Sequence, residues 1–219
     1  MYTNKTINRL ACFSILALCL DVAHAAVSPQ EADALKSKLT PMGAERAANA
    51  DGSIPAWTGG FTQIPPGFQN GHRNVDPFAA DKPLFSITAS NMPQYADKLA
   101  DGVKQLFKDN PQTFRIDVYP TRRTAAAPQW IYDNTFKNAT EAKLEGDGLI
   151  VKGAYGGVPF PVPQSGLEVH WNHLSLWRGE STHSKYKVWT TTADGKQVLA
   201  TSAVDEAQYP YYYKEGSAA

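Results

Sequence analysis

The chain opens with an apolar run, LACFSILALCL at residues 10–20, preceded by Lys5 and Arg9 and followed by Ala23-His24-Ala25. A basic start, an apolar run too short to cross a bilayer and a small-residue exit predict a cleaved secretion signal over residues 1–25. Ser28-Pro29-Gln30-Glu31 then combines a serine cap, proline at the first helical position and glutamate at the third. That is a capping box, and it predicts a short helix running to about residue 39, where Thr40-Pro41 ends it.

From residue 41 to about residue 87 the apolar period is lost. Turn signals recur instead: Asp51-Gly52, Gly59-Gly60, Pro65-Pro66-Gly67, Asn70-Gly71 and Asp76-Pro77. Ile54, Trp57, Phe61, Ile64 and Phe68 are scattered between them, which predicts an extended wrapping segment pinned by side chains. A helical period returns at residues 92–109, where Tyr95, Leu99, Val103, Leu106 and Phe107 fall on one stripe behind Asn91 as cap.

Beyond Asn110-Pro111 the period becomes two. TFRIDVYP alternates Phe114, Ile116 and Val118 with polar partners, QWIYDNTF and GLIVKGAY read as two further strands, and residues 184–204 read as a hairpin turning at Asp194-Gly195. One helix interrupts them: in SGLEVHWNHLSLWRGE, Ser165 and Glu168 form a second capping box and Gly179 is placed as the stop. The pattern is α+β, with an N-terminal helix and wrapping segment over residues 26–90 and a strand-rich part with helices over residues 91–219.

Composition narrows the function. The 21 basic and 21 acidic side chains cancel, so no whole-chain field recruits nucleic acid or anionic membrane. Both cysteines, Cys12 and Cys19, lie within the signal, which leaves a mature chain without thiolate chemistry or disulfides. An aromatic content of 11% with 15 prolines and 16 glycines favours a β-rich, loop-rich fold over a helical bundle.

Catalytic and metal patterns are weak. His170 and His173 share a helical face but lack a His-Glu-x-x-His frame, and packing or hydrogen bonding is the simpler role for them. No Gly-x-Ser-x-Gly elbow occurs, and GAYGG at residues 153–157 lacks the lysine of a phosphate loop and reads as a bend. No catalytic residue, metal or cofactor is therefore expected. Arg115, Arg122 and Arg123 are candidates for an anionic head group. Trp130, Phe160, Trp171 and Trp177 are candidates for the wall of an apolar cavity. YPYYY at residues 209–213 reads as a strand or loop that packs against polypeptide beyond this chain.

Four order-preserving motifs, LTPMGAERAANADGSIPAWTGG, FRIDVYPTRRTAAAP, GGVPFPVP and GLEVHWNHLSLWRG, resemble the proteobacterial domain-of-unknown-function family 1329. Members of that family are similar to the periplasmic lipoprotein-sorting carriers LolA and LolB and are generally about twice this length. The resemblance implies an incomplete antiparallel β-barrel, a half-barrel whose apolar cavity is plugged by helices; in such a barrel Leu39 to Gly60 reads as a strap across the mouth with Trp57 at the rim, an ordinary surface loop being the alternative. The resemblance also implies a periplasmic, non-enzymatic carrier of lipid or another hydrophobic ligand, with peripheral outer-membrane contact and an exporter of the resistance-nodulation-division type as partner. Tyr95, Leu99 and Trp171 are the lid residues in that reading. A hydrolase or metal-dependent enzyme acting on envelope lipids, and a structural subunit of an exporter, are the alternatives.

Overall fold

The computed structural model describes residues 26–72 and 75–213. The expected secretion signal lies outside them. Helix α1 (Pro29–Ala32) starts as its sequence dictates: the Ser28 hydroxyl accepts from the Glu31 amide at 3.3 Å, and the Glu31 carboxylate accepts from the Ser28 amide at 3.0 Å. The Ser28 hydroxyl also donates to that carboxylate at 2.8 Å, and it and then the Ser28 amide hold the Glu31 pKa below the usual range. A 3-10 turn, Asp33–Lys36, continues it, and Ala32 and Leu35 bury their side chains against Ala139.

Between residues 37 and 84 the described chain forms neither helix nor strand, apart from one bridge pairing Leu39 with Glu45. This strap is nevertheless fixed. The Trp57 amide donates to the Arg46 carbonyl at 2.9 Å and the Phe61 amide to the Thr124 carbonyl at 3.0 Å. Gly43 (φ 92°) lies so close to residue 161 that a β-carbon on it would sit 1.9 Å from the Pro161 carbonyl oxygen, so only glycine fits.

Strand β1 (Phe85–Thr88) pairs antiparallel with β2 (Arg115–Val118), placing Ile87 opposite Ile116. The single helix expected between them is divided. A 3-10 segment, Met92–Lys98, ends at Leu99, whose backbone is extended, and α2 (Asp101–Asp109) restarts behind Ala100. The break lets the two halves of the apolar stripe face different partners: Tyr95 stacks on Phe85 with centroids 5.2 Å apart, and Phe107 meets Phe114 edge-on at 4.7 Å.

The segment QWIYDNTF, expected as a strand, is the first part of α3 (Gln129–Glu141). Its buried residues are Ile131, Thr135, Asn138 and Ala139, a helical row in which two polar members disguise the period. Strands β3 (Lys143–Glu145) and β4 (Ile150–Lys152) form a short hairpin whose turn, Gly146-Asp147-Gly148, has all three residues at positive φ. Helix α4 (Gly166–Leu174) begins as expected at Ser165, whose hydroxyl accepts from the Glu168 amide at 3.3 Å. The box is only half made, because the Glu168 carboxylate accepts from the Gln164 amide instead. The helix also stops earlier than expected. Ser175 ends it, and Gly179 (φ 94°) belongs to the approach to the next strand.

Strands β5 (Ser181–Thr191) and β6 (Gln197–Gln208) make the expected hairpin, with an irregularity between Val188 and Trp189. Gly195 alone supplies a positive φ at its turn. The chain then folds back through a 3-10 turn, Pro210–Tyr212. The architecture is α+β: three separate two-stranded antiparallel sheets among four α-helices, with no closed barrel among the described residues.

Candidate functional site

The segment running from the 153–157 bend to residue 164 is held by side chains of α3 and α4. Asn138, fully buried, accepts from the Tyr155 amide at 2.7 Å and donates to the Tyr155 carbonyl at 2.8 Å. Thr135 accepts from the Val158 amide at 2.9 Å, and Asn172 both accepts from the Phe160 amide at 2.9 Å and donates to its carbonyl at 2.7 Å. These polar side chains satisfy an irregular backbone path that lies outside the three sheets, which is what permits it to be buried. Gly157 packs against α3 so closely that a β-carbon there would lie 2.7 Å from Thr135 Oγ1.

One consequence is a groove of about 560 Å³ bounded by β4, the bend, α4 and the tyrosine-rich tail. Val151, Ala154, Tyr155, Pro159, Trp171 and Leu174 form most of it, and Pro210 and Tyr211 close one side. Trp171 is oriented by its indole Nε1, which donates to the Gly148 carbonyl at 2.8 Å across the β3–β4 turn. Phe160 is buried behind the groove in a cluster with Ala142 and Ala154, against which Val151 and Trp171 pack. The tail is fixed from within this chain. Tyr212 is 1% exposed, its hydroxyl donates to the Ser175 carbonyl, and its ring meets Trp177 at 4.8 Å. Burial pushes the Tyr212 phenol pKa well above its ordinary value. YPYYY was expected to pack against polypeptide beyond this chain; Tyr212 packs within it.

Of the seven apolar candidates, Trp171 lines this groove and Phe160 backs it. Trp130 packs edge-on against Trp177 at 5.3 Å, and Trp177 bridges it to Tyr212, so these two support the tail. Trp57 lines a second groove, of about 540 Å³, between the strap and α3. Tyr95 sits on β1, and neither it nor Leu99 lines either groove. Val151, Pro159, Leu174, Pro210 and Tyr211 were missed; the crowding of proline and aromatic residues at 155–163 and 209–213 was a signal for Pro159, Pro210 and Tyr211, and Val151 and Leu174 carried none.

The three arginines go to three different sets of partners. Arg115 pairs with Asp117 on its own strand at 3.1 Å. Arg122 grips Asp81 through two hydrogen bonds, at 2.7 and 2.6 Å, which lower the Asp81 pKa and raise its own. Arg123 reaches into the strap, where its guanidinium donates to the carbonyls of Glu45 at 2.5 Å, Arg46 at 3.3 Å, and Ala47 and Pro55 at 3.4 Å. His170 and His173 are exposed on α4. Among the described residues no three metal-ligating side chains cluster, and no helix is long and apolar enough to cross a membrane.

Fold and groove together define an α+β protein with an apolar groove framed by rings. Residues 86–219 match the family model described as Protein of unknown function (DUF1329), and the chain belongs to that family. It is 42% identical over 197 residues to Uncharacterized protein PA3922 of Pseudomonas aeruginosa, an alignment that takes in 89% of this chain and 43% of that protein. The aligned stretch is longer than the family segment and so extends into the strap. The chain thus spans less than half the length of this relative. No solved structure matches it.

Proposed function

We propose that this protein binds lipid or another hydrophobic ligand in the groove beside Trp171 and acts as a periplasmic carrier or chaperone-like module. The observation that carries the reading is the groove itself: about 560 Å³, within the range of small-molecule sites, and walled by Val151, Ala154, Pro159, Trp171 and Leu174. Its work is burial. Apolar area removed from water stabilises a complex by about 25 cal/mol per Å², so an acyl chain is held without directional contacts and without bond chemistry.

The display of apolar surface supports the same reading. Among the described residues 21 large hydrophobic side chains are exposed, against ten hydrophobic residues that are buried. Six of the exposed ones, Tyr186, Val188, Trp189, Val198, Leu199 and Val204, lie on the β5–β6 hairpin. A lone two-stranded ribbon is marginal in water. In the proposed arrangement the hairpin supplies the opening strands of a LolA/LolB-like half-barrel that the longer family members complete. An exporter of the resistance-nodulation-division type and the outer membrane are the proposed destinations of the cargo.

The test is displacement of an apolar fluorescent probe, 1-N-phenylnaphthylamine, by fatty acids. Trp171→Ala and Leu174→Asp are expected to abolish most of the probe signal at unchanged far-UV circular dichroism. Equal probe binding by both variants and the native chain would remove the groove from consideration.

A further inference from the structure

The second groove lies on the other face of α3, and its chemistry differs from that of the first. Its wall is formed by Leu35, Pro41, Arg46, Trp57, Tyr132 and Phe136, with Lys36, Gln129 and Asp133 at its edge. The polar groups on the wall are held in place by the protein. Trp57 Nε1 donates to the Ala125 carbonyl at 2.9 Å, the Tyr132 hydroxyl accepts from the Ala127 amide at 2.7 Å, and Gln129 donates to Asp133 at 2.9 Å. Lys36 lies 3.8 Å from the centroid of Phe136 and is already paired with Asp33 at 2.9 Å.

Arg46 is the exception. Its Nε donates to the Leu39 carbonyl at 3.0 Å, and its guanidinium lies 5.2 Å from the Trp57 ring centroid. Among the described residues neither of its Nη atoms has a protein acceptor and no carboxylate pairs with it. A half-buried guanidinium, steered by one hydrogen bond and braced on an indole face, presents an unused two-nitrogen fork toward an apolar slot. Forks of that kind match carboxylates bidentately. Tyr132 and Phe136 supply the ring and aliphatic contact for the rest of the ligand.

We infer that the Trp57–Arg46 groove is a separate site for a small apolar carboxylate, with Arg46 taking the carboxylate and Trp57, Tyr132 and Phe136 taking the hydrocarbon body. Two sources share that chemistry, aromatic acids and short fatty acids, and its volume of about 540 Å³ admits either. The site is independent of the Trp171 groove, so the two readings succeed or fail separately.

The experiment titrates benzoate, octanoate, benzamide and octanamide into uniformly 15N-labelled protein. Both carboxylates are expected to shift the Trp57 indole resonance at roughly millimolar or lower concentration, and both amides to be weaker by about tenfold or more, the worth of a charge-assisted hydrogen bond. A preference between the two acids identifies the source. Arg46→Ala is expected to erase the difference between acid and amide. Since Arg46 also ties the strap through Leu39, Arg46→Lys serves as the control: it keeps the charge, loses the fork and is expected to retain only part of the preference. Acids and amides that bind alike, shifts confined to Trp171, or no shift at the Trp57 indole would overturn the assignment.

Discussion

Arg123 clamps the strap from outside it. Its guanidinium gathers the carbonyls of Glu45, Arg46, Ala47 and Pro55, which come from two stretches of a segment with almost no ladder of its own. Only the hydrogen bond to Glu45 is short enough to count fully, and the three at 3.3–3.4 Å count for little. Bonds from a charged donor contribute about 1.5–3 kcal/mol each, but the strap is largely exposed, so water replaces part of what is lost. Arg123→Ala is therefore expected to cost about 1–2 kcal/mol, concentrated in local opening of the strap. Urea denaturation reads the global part, and amide exchange reads the local part. The Trp57 amide, bonded to the Arg46 carbonyl, should exchange far faster, while amides around Phe107 hold. Arg123→Lys should restore less than half, because one ammonium cannot reach both stretches. A loss below about 0.5 kcal/mol, with unchanged exchange over residues 45–61, would refute the clamp.

Three further outcomes follow from particular contacts. Gly43→Ala should destabilise by more than about 2 kcal/mol in chemical denaturation, because its β-carbon would meet Pro161 at 1.9 Å; Gly52→Ala, at φ 72° with nothing within 4 Å, should cost only about 1 kcal/mol, the conformational penalty alone. The raised Tyr212 pKa makes stability fall with alkali: below about pH 10 the contribution is complete, and above it the unfolded phenol ionises while the folded one keeps its proton. Tyr212→Phe, lacking the bond to Ser175, should therefore be about 1 kcal/mol less stable at neutral pH and lose that alkaline slope in a pH series of melts. With both hairpin edges open, the isolated chain should associate in sedimentation as concentration rises, and Trp189→Thr with Leu199→Lys should suppress it; a native chain that stays monomeric would contradict the open-edge account.

Local chemistry was legible wherever one signal dominated. The Ser28–Glu31 box, the Ser165 cap, the alternation at residues 114–118 and the Asp194-Gly195 hairpin all lie where the residues place them. The α3 helix was hidden because its buried row includes Thr135 and Asn138. These two polar residues are buried in order to bind the backbone at 155–158, a partner about 20 positions away that no local window contains. The break at Leu99 was hidden for a related reason: the helical stripe is real, but Tyr95 and Phe107 answer to different partners, Phe85 on β1 and Phe114 just before β2.

The grooves were half legible. Large rings were the visible signal, and they led to Trp57, Phe160 and Trp171, each at or behind a groove. They also led to Trp130 and Trp177, which sequence cannot distinguish from wall residues because only their mutual edge-on packing shows that they brace the tail. Basic residues near a strand end looked like an anion site, whereas Arg122 and Arg123 are engaged by Asp81 and by strap carbonyls. Arg46, embedded in the strap sequence, carried no signal until its place over Trp57 was seen.

The most direct measurement is mass spectrometry of the organic extract from protein purified out of its native cells, alongside Trp171→Ala prepared identically. A lipid or other apolar molecule near one equivalent in the native sample, and depleted in the variant, is the expected result. Native protein that carries no apolar molecule, or a variant that carries as much, would contradict the carrier reading.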